Sequence, residues 1–189
     1  MEAAQSDLTA FILAGGRSSR MGRDKAFLKF EGKSLLNRAL LLAHSVTRDV
    51  RIVGSASKFS AFGIVVEDTF HNRGPLGGIH AALNATSTDL NLILAVDMPF
   101  LSKQLLTFLV ERARVSDAVV TIPRTPSGWE PLCAIYRRSF AAVAQAALNS
   151  GENKIDRLFS SLTLSPITED DLRSFPPNQF RNLNTPSDL

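Results

Sequence analysis

At 189 residues with 44% hydrophobic side chains, the chain is long enough to bury a substantial core, and a single domain over residues 1–189 is expected. The net charge of +3 is modest, and the basic residues are dispersed apart from a knot at Arg17, Arg20, Arg23 and Lys25; this argues against nucleic acid as a partner and suits a small anionic ligand. Cys133 is the lone cysteine, there is no signal-peptide pattern, and no apolar run approaches the ~20 residues that span a bilayer, so a cytoplasmic protein with no membrane partner is expected.

In chain order, the apolar run Leu8 to Ala14 ends abruptly in Gly15-Gly16 and predicts a buried strand delivered into a flexible turn. Leu36, Ala39, Leu40 and Ala43 recur at helical spacing between Ser34 and Val46, with Ser34 as N-cap. Arg51 to Val53 and Gly63 to Val66 are short β-branched runs that fit the second and third strands. A helix is predicted from Leu76 to Ala85, then a strand from Leu90 to Val96 that stops at Asp97-Met98-Pro99, where proline lacks the N–H to continue. Ser102 should cap a helix running to Ala113. Strands at Ala118 to Ile122 and Leu132 to Tyr136, a helix from Arg138 to Leu148 and a short one at Lys154 to Phe159 complete the pattern. Ser165 to Asn178, rich in proline and acidic residues, reads as a surface connection. Alternating strands and helices imply an α/β fold with a mostly parallel sheet covered on both faces, whose ligands bind at the carboxyl ends of the strands. Gly15, Asp68 and Asp97 fall at such ends.

The run from Leu13 to Lys25 has the makings of an anion site. Its three glycines let backbone amides approach phosphate oxygens, while Arg20 and Lys25 supply the charge a triphosphate demands. Two commoner phosphate motifs are absent: Gly32-Lys33-Ser34 has Phe27 where a P-loop needs its first glycine, and there is no G-x-G-x-x-G.

Leu13 to Lys25 resembles the L-A-G-G-x-S-x-R-M-G-x-D-K signature of the molybdenum cofactor guanylyltransferases, the MobA family. The resemblance continues in order through Gly74-Pro75-Leu76-Gly77-Gly78, Ala95-Val96-Asp97-Met98-Pro99, Pro131-Leu132-Cys133-Ala134-Ile135-Tyr136-Arg137 and Asn182-Leu183-Asn184-Thr185-Pro186. It implies a three-layer α/β/α sandwich, the Rossmann-like nucleotidyltransferase fold. It also implies Mg2+ as cofactor, with GTP and molybdenum-loaded molybdopterin as the substrates from which the guanine dinucleotide and pyrophosphate are made. Molybdenum-insertion proteins and acceptor molybdoenzymes are the protein partners such a role would call for.

By the same resemblance Leu13, Ala14, Gly15 and Gly16 line the nucleotide, Lys25 neutralises its α-phosphate and Arg20 holds the leaving pyrophosphate. Asp97 matches the magnesium ligand, although an aspartate before proline is also a turn former. Asp68 matches an acid placed to accept from the ring N–H and exocyclic amine of guanine; a solvated loop acid is the competing reading, and Glu67 could serve instead. Gly77 and Gly78 would let the backbone lie close to the base or only tighten a turn, and Asn182 and Asn184 would reach the metal or the acceptor or only form turns.

Two positions depart from the family pattern. Gly54-Ser55 stands where the family often has an asparagine, and Glu130 where it commonly has a less acidic residue. His44, His71 and His80 lack metal-ligand spacing, the phenylalanines and Cys133 read as core, and Trp129 with Glu130 flanks a segment near which a pterin could lie. A cytidylyltransferase or another nucleotidyltransferase of the same fold, and a nucleotide-binding regulatory protein without turnover, are the alternatives.

Overall fold

The computed structural model describes residues 7–15, 24–70 and 72–183. The chain begins with β1 (Leu8–Leu13), all six residues of which are buried. After a 3-10 turn at Lys25–Phe27 comes a two-stranded hairpin, β2 (Lys29–Phe30) and β3 (Lys33–Ser34). It leads into α1 (Leu35–His44), capped as expected by Ser34, whose hydroxyl accepts from the Asn37 amide at 3.2 Å. Then follow β4 (Asp49–Val53), a single turn α2 (Ala56–Phe59), β5 (Ile64–Val66), α3 (Pro75–Asn84) and β6 (Leu90–Ala95). The second half runs α4 (Lys103–Arg114), β7 (Val120–Thr125), β8 (Gly128–Trp129), β9 (Cys133–Arg137), α5 (Phe140–Asn149), β10 (Leu164–Ile167) and α6 (Glu169–Leu172).

Eight strands form one sheet in the order β10-β7-β9-β6-β1-β4-β5, with β8 paired to β7. From β5 through β6 the neighbours are parallel. β9 is antiparallel to both β6 and β7, and β10 returns parallel to β7. Helices cover both faces, which gives three layers. Side chains of β1 divide by alternation: Ala10 and Ile12 join the core under α1 and α4, while Phe11 and Leu13 join the core under α3 and α5.

One expectation needs correcting. Ser165 to Asn178 is not a plain surface connection, since its first residues belong to β10 and Thr168 forms a reciprocal capping box with Asp171 at the start of α6. Pro166 is tolerated because β10 is an edge strand, paired on one side only. The short helix expected at Lys154 to Phe159 is a 3-10 helix, Ile155–Ser161. Among the described residues no helix is long and apolar enough to cross a membrane.

Candidate active site

Register places the site. Leu13 pairs with Val53 on one side and Ala95 on the other, and Val53 pairs with Val66. Residues following these strands, Ala14 and Gly15, Gly54 and Ser55, Glu67 and Asp68, Val96 and Asp97, therefore leave the sheet along one edge. The chain turns from β1 first toward β4 and β5 and then crosses to β6, so this edge includes the point where strand order reverses, the ordinary location of a ligand crevice. A cavity of about 770 Å³ lies there, its wall including Leu13, Gly15, Gly54, Asp68, Gly74 and Gly78.

In the cavity wall Asp68 is half-buried, and its Oδ1 accepts from the Phe70 amide at 2.8 Å. The first turn of α3 passes so close that a Cβ on Gly77 would stand 2.7 Å from Asp68 Oδ2. Gly77 thus makes room for a carboxylate rather than lining the cavity itself. Gly78 does line it, packed under Leu13. Glu67, the competing acid, also lines the cavity but is exposed, and its carboxylate accepts the Ala56 amide at the start of α2 at 2.9 Å.

Lys25 and Asp97 are not among the residues that line this cavity; the 3-10 turn at Lys25–Phe27 presents Lys25. Asp24 builds this turn by accepting the Ala26 amide at 3.2 Å, and Lys58 pairs with the other Asp24 oxygen at 2.8 Å. Lys25 Nζ reaches Asp97 Oδ2 at 2.5 Å, with the two side chains 19% and 20% exposed. A pair this shielded keeps more of its Coulomb attraction than a surface pair. The closing segment is strapped to the same strand end: the Leu183 amide donates to the Asp97 carbonyl at 2.9 Å, and Gln179 Oε1 accepts from the amide and hydroxyl of Ser102 at 2.9 and 3.0 Å. Asn182, exposed beside buried Leu183, is thereby held near Asp97.

Of the other residues expected in the site, Leu13 and Gly15 line the cavity. Ala14 is buried, and its amide and that of Gly15 both donate to the Val53 carbonyl, at 3.0 and 3.1 Å. Those two amides are committed to the sheet edge, so it is the missing side chain of Gly15 that serves the cavity. Gly16, Arg20 and Asn184 lie outside the described residues.

Sequence reasoning missed Asn72 and Leu132 as wall residues, and Asn72 holds a left-handed backbone at φ 63°. The departure at Gly54-Ser55 has a local cause: both line the cavity, and a Cβ on Gly54 would stand 2.7 Å from the buried Phe59 ring. Glu130 accepts from the Thr125 hydroxyl at 3.1 Å, and burial pushes its carboxyl above the usual range. Cys133 is fully buried, which raises its thiol pKa and makes it inert. His80 is buried: Nε2 meets the Asn84 amide at 2.8 Å, while Nδ1 has no hydrogen-bond partner among the described residues.

Residues 10–165 match the MobA-like NTP transferase domain. The chain belongs to that family. A Clostridium perfringens protein named "probable molybdenum cofactor guanylyltransferase" is 32% identical over 183 residues, covering 94% of this chain and 91% of its own. One from Desulfosudis oleivorans named molybdenum cofactor guanylyltransferase is 32% identical over 188 residues, covering 96% and 92%. Among solved structures, molybdopterin-guanine dinucleotide biosynthesis protein A from Archaeoglobus fulgidus superposes with a TM-score of 0.83 at 28% identity, covering 95% of this chain and 94% of that one. The family assignment makes the chain a nucleotidyltransferase.

Proposed function

We propose that the chain, as one domain, transfers GMP from GTP to the phosphate of molybdenum-loaded molybdopterin, releasing pyrophosphate and forming molybdopterin guanine dinucleotide. The observation that carries this reading is the Lys25–Asp97 pair set just past the end of β6, on the same edge of the sheet as a cavity whose wall includes Asp68. It is supported by the names of the relatives.

The donor set fits a hard divalent cation, which we take as Mg2+. Asp97 offers a partly exposed carboxylate, and among the described residues no group of three or more His, Cys, Asp or Glu could cage a metal alone. Such a site suits an ion shared with triphosphate oxygens and water. When bound, the ion neutralises phosphate charge and makes the α-phosphorus more electrophilic. Lys25 adds a positive charge where negative charge accumulates as the acceptor oxygen bonds to the α-phosphorus and the bond to pyrophosphate breaks. Asp97 holds Lys25 in place through the 2.5 Å contact. Arg20 takes the leaving pyrophosphate. Leu13, Gly15 and Gly78 shape the wall for the nucleoside, Ala14 and, by the family resemblance, Gly16 belong to the same nucleotide site, and Asp68 reads the paired donors of guanine. Asn182 serves the metal or the acceptor, and the family resemblance gives Asn184 the same role. We place the reaction in the cytoplasm, with molybdenum-insertion proteins supplying the acceptor and molybdoenzymes receiving the product.

The test is to incubate the purified protein with Mg2+, loaded molybdopterin and each of GTP, CTP and ATP in turn. The guanine dinucleotide should form with GTP, and equal or greater yield with CTP would overturn the nucleotide assignment.

A further inference from the structure

The strand ends continue beyond Asp97. β9 enters the sheet at this edge, because Cys133 pairs with Leu94 near the end of β6, and β7 leaves the sheet here because it runs antiparallel to β9. Leu132 lines the nucleotide cavity, and its carbonyl accepts the Ala95 amide at 2.9 Å. Trp129, Glu130 and Pro131, which precede Leu132 in the chain, therefore lie at this same edge of the sheet, on the opposite side of Asp97 from Asp68.

Glu130 is fixed there by its backbone: its amide donates to the Pro123 carbonyl at 3.0 Å, and its carbonyl accepts the Cys133 amide at 3.1 Å. Its carboxylate is half-buried, and among the described residues the Thr125 hydroxyl is the one donor to it and no cation pairs with it. An ionised carboxylate offers about four lone-pair sites, so one hydroxyl leaves most of this acceptor unused while burial still exacts desolvation. Burial indeed raises its pKa. On this hairpin the Arg124 guanidinium lies 5.0 Å over the Trp129 ring and Trp129 is edge-on to Phe159 at 5.9 Å, while the Asp156 charge adds to the rise in the Glu130 pKa.

A group with two adjacent N–H donors in one plane would satisfy that carboxylate. Guanine and pterin both present such an edge, the ring N–H beside the amine of a 2-amino-4-oxopyrimidine. We infer that Glu130 holds the pterin ring of the acceptor by this edge, as Asp68 on the other side of Asp97 holds guanine. The inference rests on the proposed reaction. Two strand spacings separate the ends of β6 and β7, about 10 Å. An acceptor with its phosphate beside Lys25 and Asp97 would therefore lay its ring system across the start of β9, toward Glu130.

Trp129 is the single tryptophan of the chain and sits next to Glu130, so its fluorescence reports on this subsite. The probes are 6-hydroxymethylpterin and 6-hydroxymethyllumazine, which has an oxo group in place of the 2-amine, titrated with inner-filter correction; GTP affinity is measured by calorimetry. The pterin should quench Trp129 saturably and bind about tenfold or more tightly than the lumazine, a preference that Glu130→Gln abolishes. Glu130→Gln should leave GTP affinity within about twofold, and Asp68→Asn should weaken GTP while sparing the pterin. Thr125→Val, which removes the neighbouring hydroxyl and keeps the carboxylate, should retain the preference for pterin over lumazine and thereby separates a general disturbance of the hairpin from loss of the acceptor. In turnover, Glu130→Gln should raise KM for molybdopterin more than it lowers kcat. If the wild type makes the dinucleotide and Glu130→Gln has an unchanged KM and pterin affinity, the assignment of Glu130 is overturned while the proposed reaction stands. If the wild type makes no guanine dinucleotide, the proposed reaction falls and takes this assignment with it.

Discussion

Gly77→Ala offers a sharp test of the proposed contact between Asp68 and guanine, because the new methyl group meets one side chain above all. Its Cβ would lie 2.7 Å from Asp68 Oδ2, 3.1 Å from Oδ1 and 3.1 Å from the Phe70 carbonyl. The shortest of these is about half an ångström or more inside normal contact, so the Asp68 carboxylate must turn away. Turning breaks the 2.8 Å bond from the Phe70 amide, a loss of about 1 kcal/mol. Alanine in place of glycine within a helix returns about 1 kcal/mol, and the two effects nearly cancel in stability. Binding has no such compensation. A guanine that donates to a displaced carboxylate loses about 1.5 kcal/mol or more, which is at least about tenfold in affinity.

The assay is calorimetric titration of GTP and ITP in the presence of Mg2+, alongside thermal unfolding. ITP keeps the ring N–H but lacks the 2-amine, so the wild type should favour GTP and Gly77→Ala should bring the two affinities together with the melting temperature within a few degrees. In an Asp68→Ala background, Gly77→Ala should add nothing, since residues acting through one contact are not additive. If Gly77→Ala lowers the melting point only slightly and keeps the full preference for GTP over ITP, then Asp68 does not read guanine.

Two further outcomes are expected. Lys25→Ala and Asp97→Ala should each lose most of the turnover while the protein stays folded by circular dichroism, and the double variant should be little worse than either single one; normal turnover in either would exclude the pair from the reaction. At the other end of the sheet, Asp49 accepts from Arg51 at 2.8 and 2.9 Å and from Thr9 at 3.0 Å, and the Arg51 bond is the main cause of its lowered pKa. Its folded pKa is below its unfolded value, so its contribution is present above about pH 4 and is lost as pH falls through the folded value. Asp49→Asn should therefore cost no more than about 1 kcal/mol at neutral pH, because the pair is partly solvated, and should flatten the acid limb of the stability profile measured by urea unfolding.

The sequence made some parts of this structure legible and hid others for definite reasons. β1 was legible because all its side chains are buried and two glycines follow it. Ser34 and Ser102 were legible as caps because each precedes an apolar pattern of helical period, and both hydroxyls accept the expected amide. β10 was concealed by Pro166, which lowers strand propensity and is accommodated only because no strand lies beyond it. Lys25 and Asp97 are 72 residues apart, and no local pattern pairs them; the family resemblance singled out both, and the fold shows them in contact. Asp68 and Glu67 could not be told apart as a string of letters. Their environments separate them: one carboxylate is half-buried against a helix that needs glycine to pass, and the other is exposed and engaged with the start of α2.

The direction of β9 was the least legible feature, and it has the largest consequence for the site. Cys133 to Tyr136 are all buried, so there is no alternation of polar and apolar residues to mark a face. The clue was the connection, since a parallel neighbour to β7 would need a crossover of a dozen or more residues, whereas only residues 126–132, with no helix among them, separate β7 from β9. Because β9 runs backward, that short connection emerges at the same edge as Asp97 instead of the opposite one. Had β9 been parallel, Glu130 would have stood at the amino end of the sheet, some five or six residues of strand away, about 17–20 Å. One reversed strand thus extends the carboxyl edge past Asp97, and places Glu130 on the opposite flank of the Lys25–Asp97 pair from Asp68, where the proposed acceptor subsite lies.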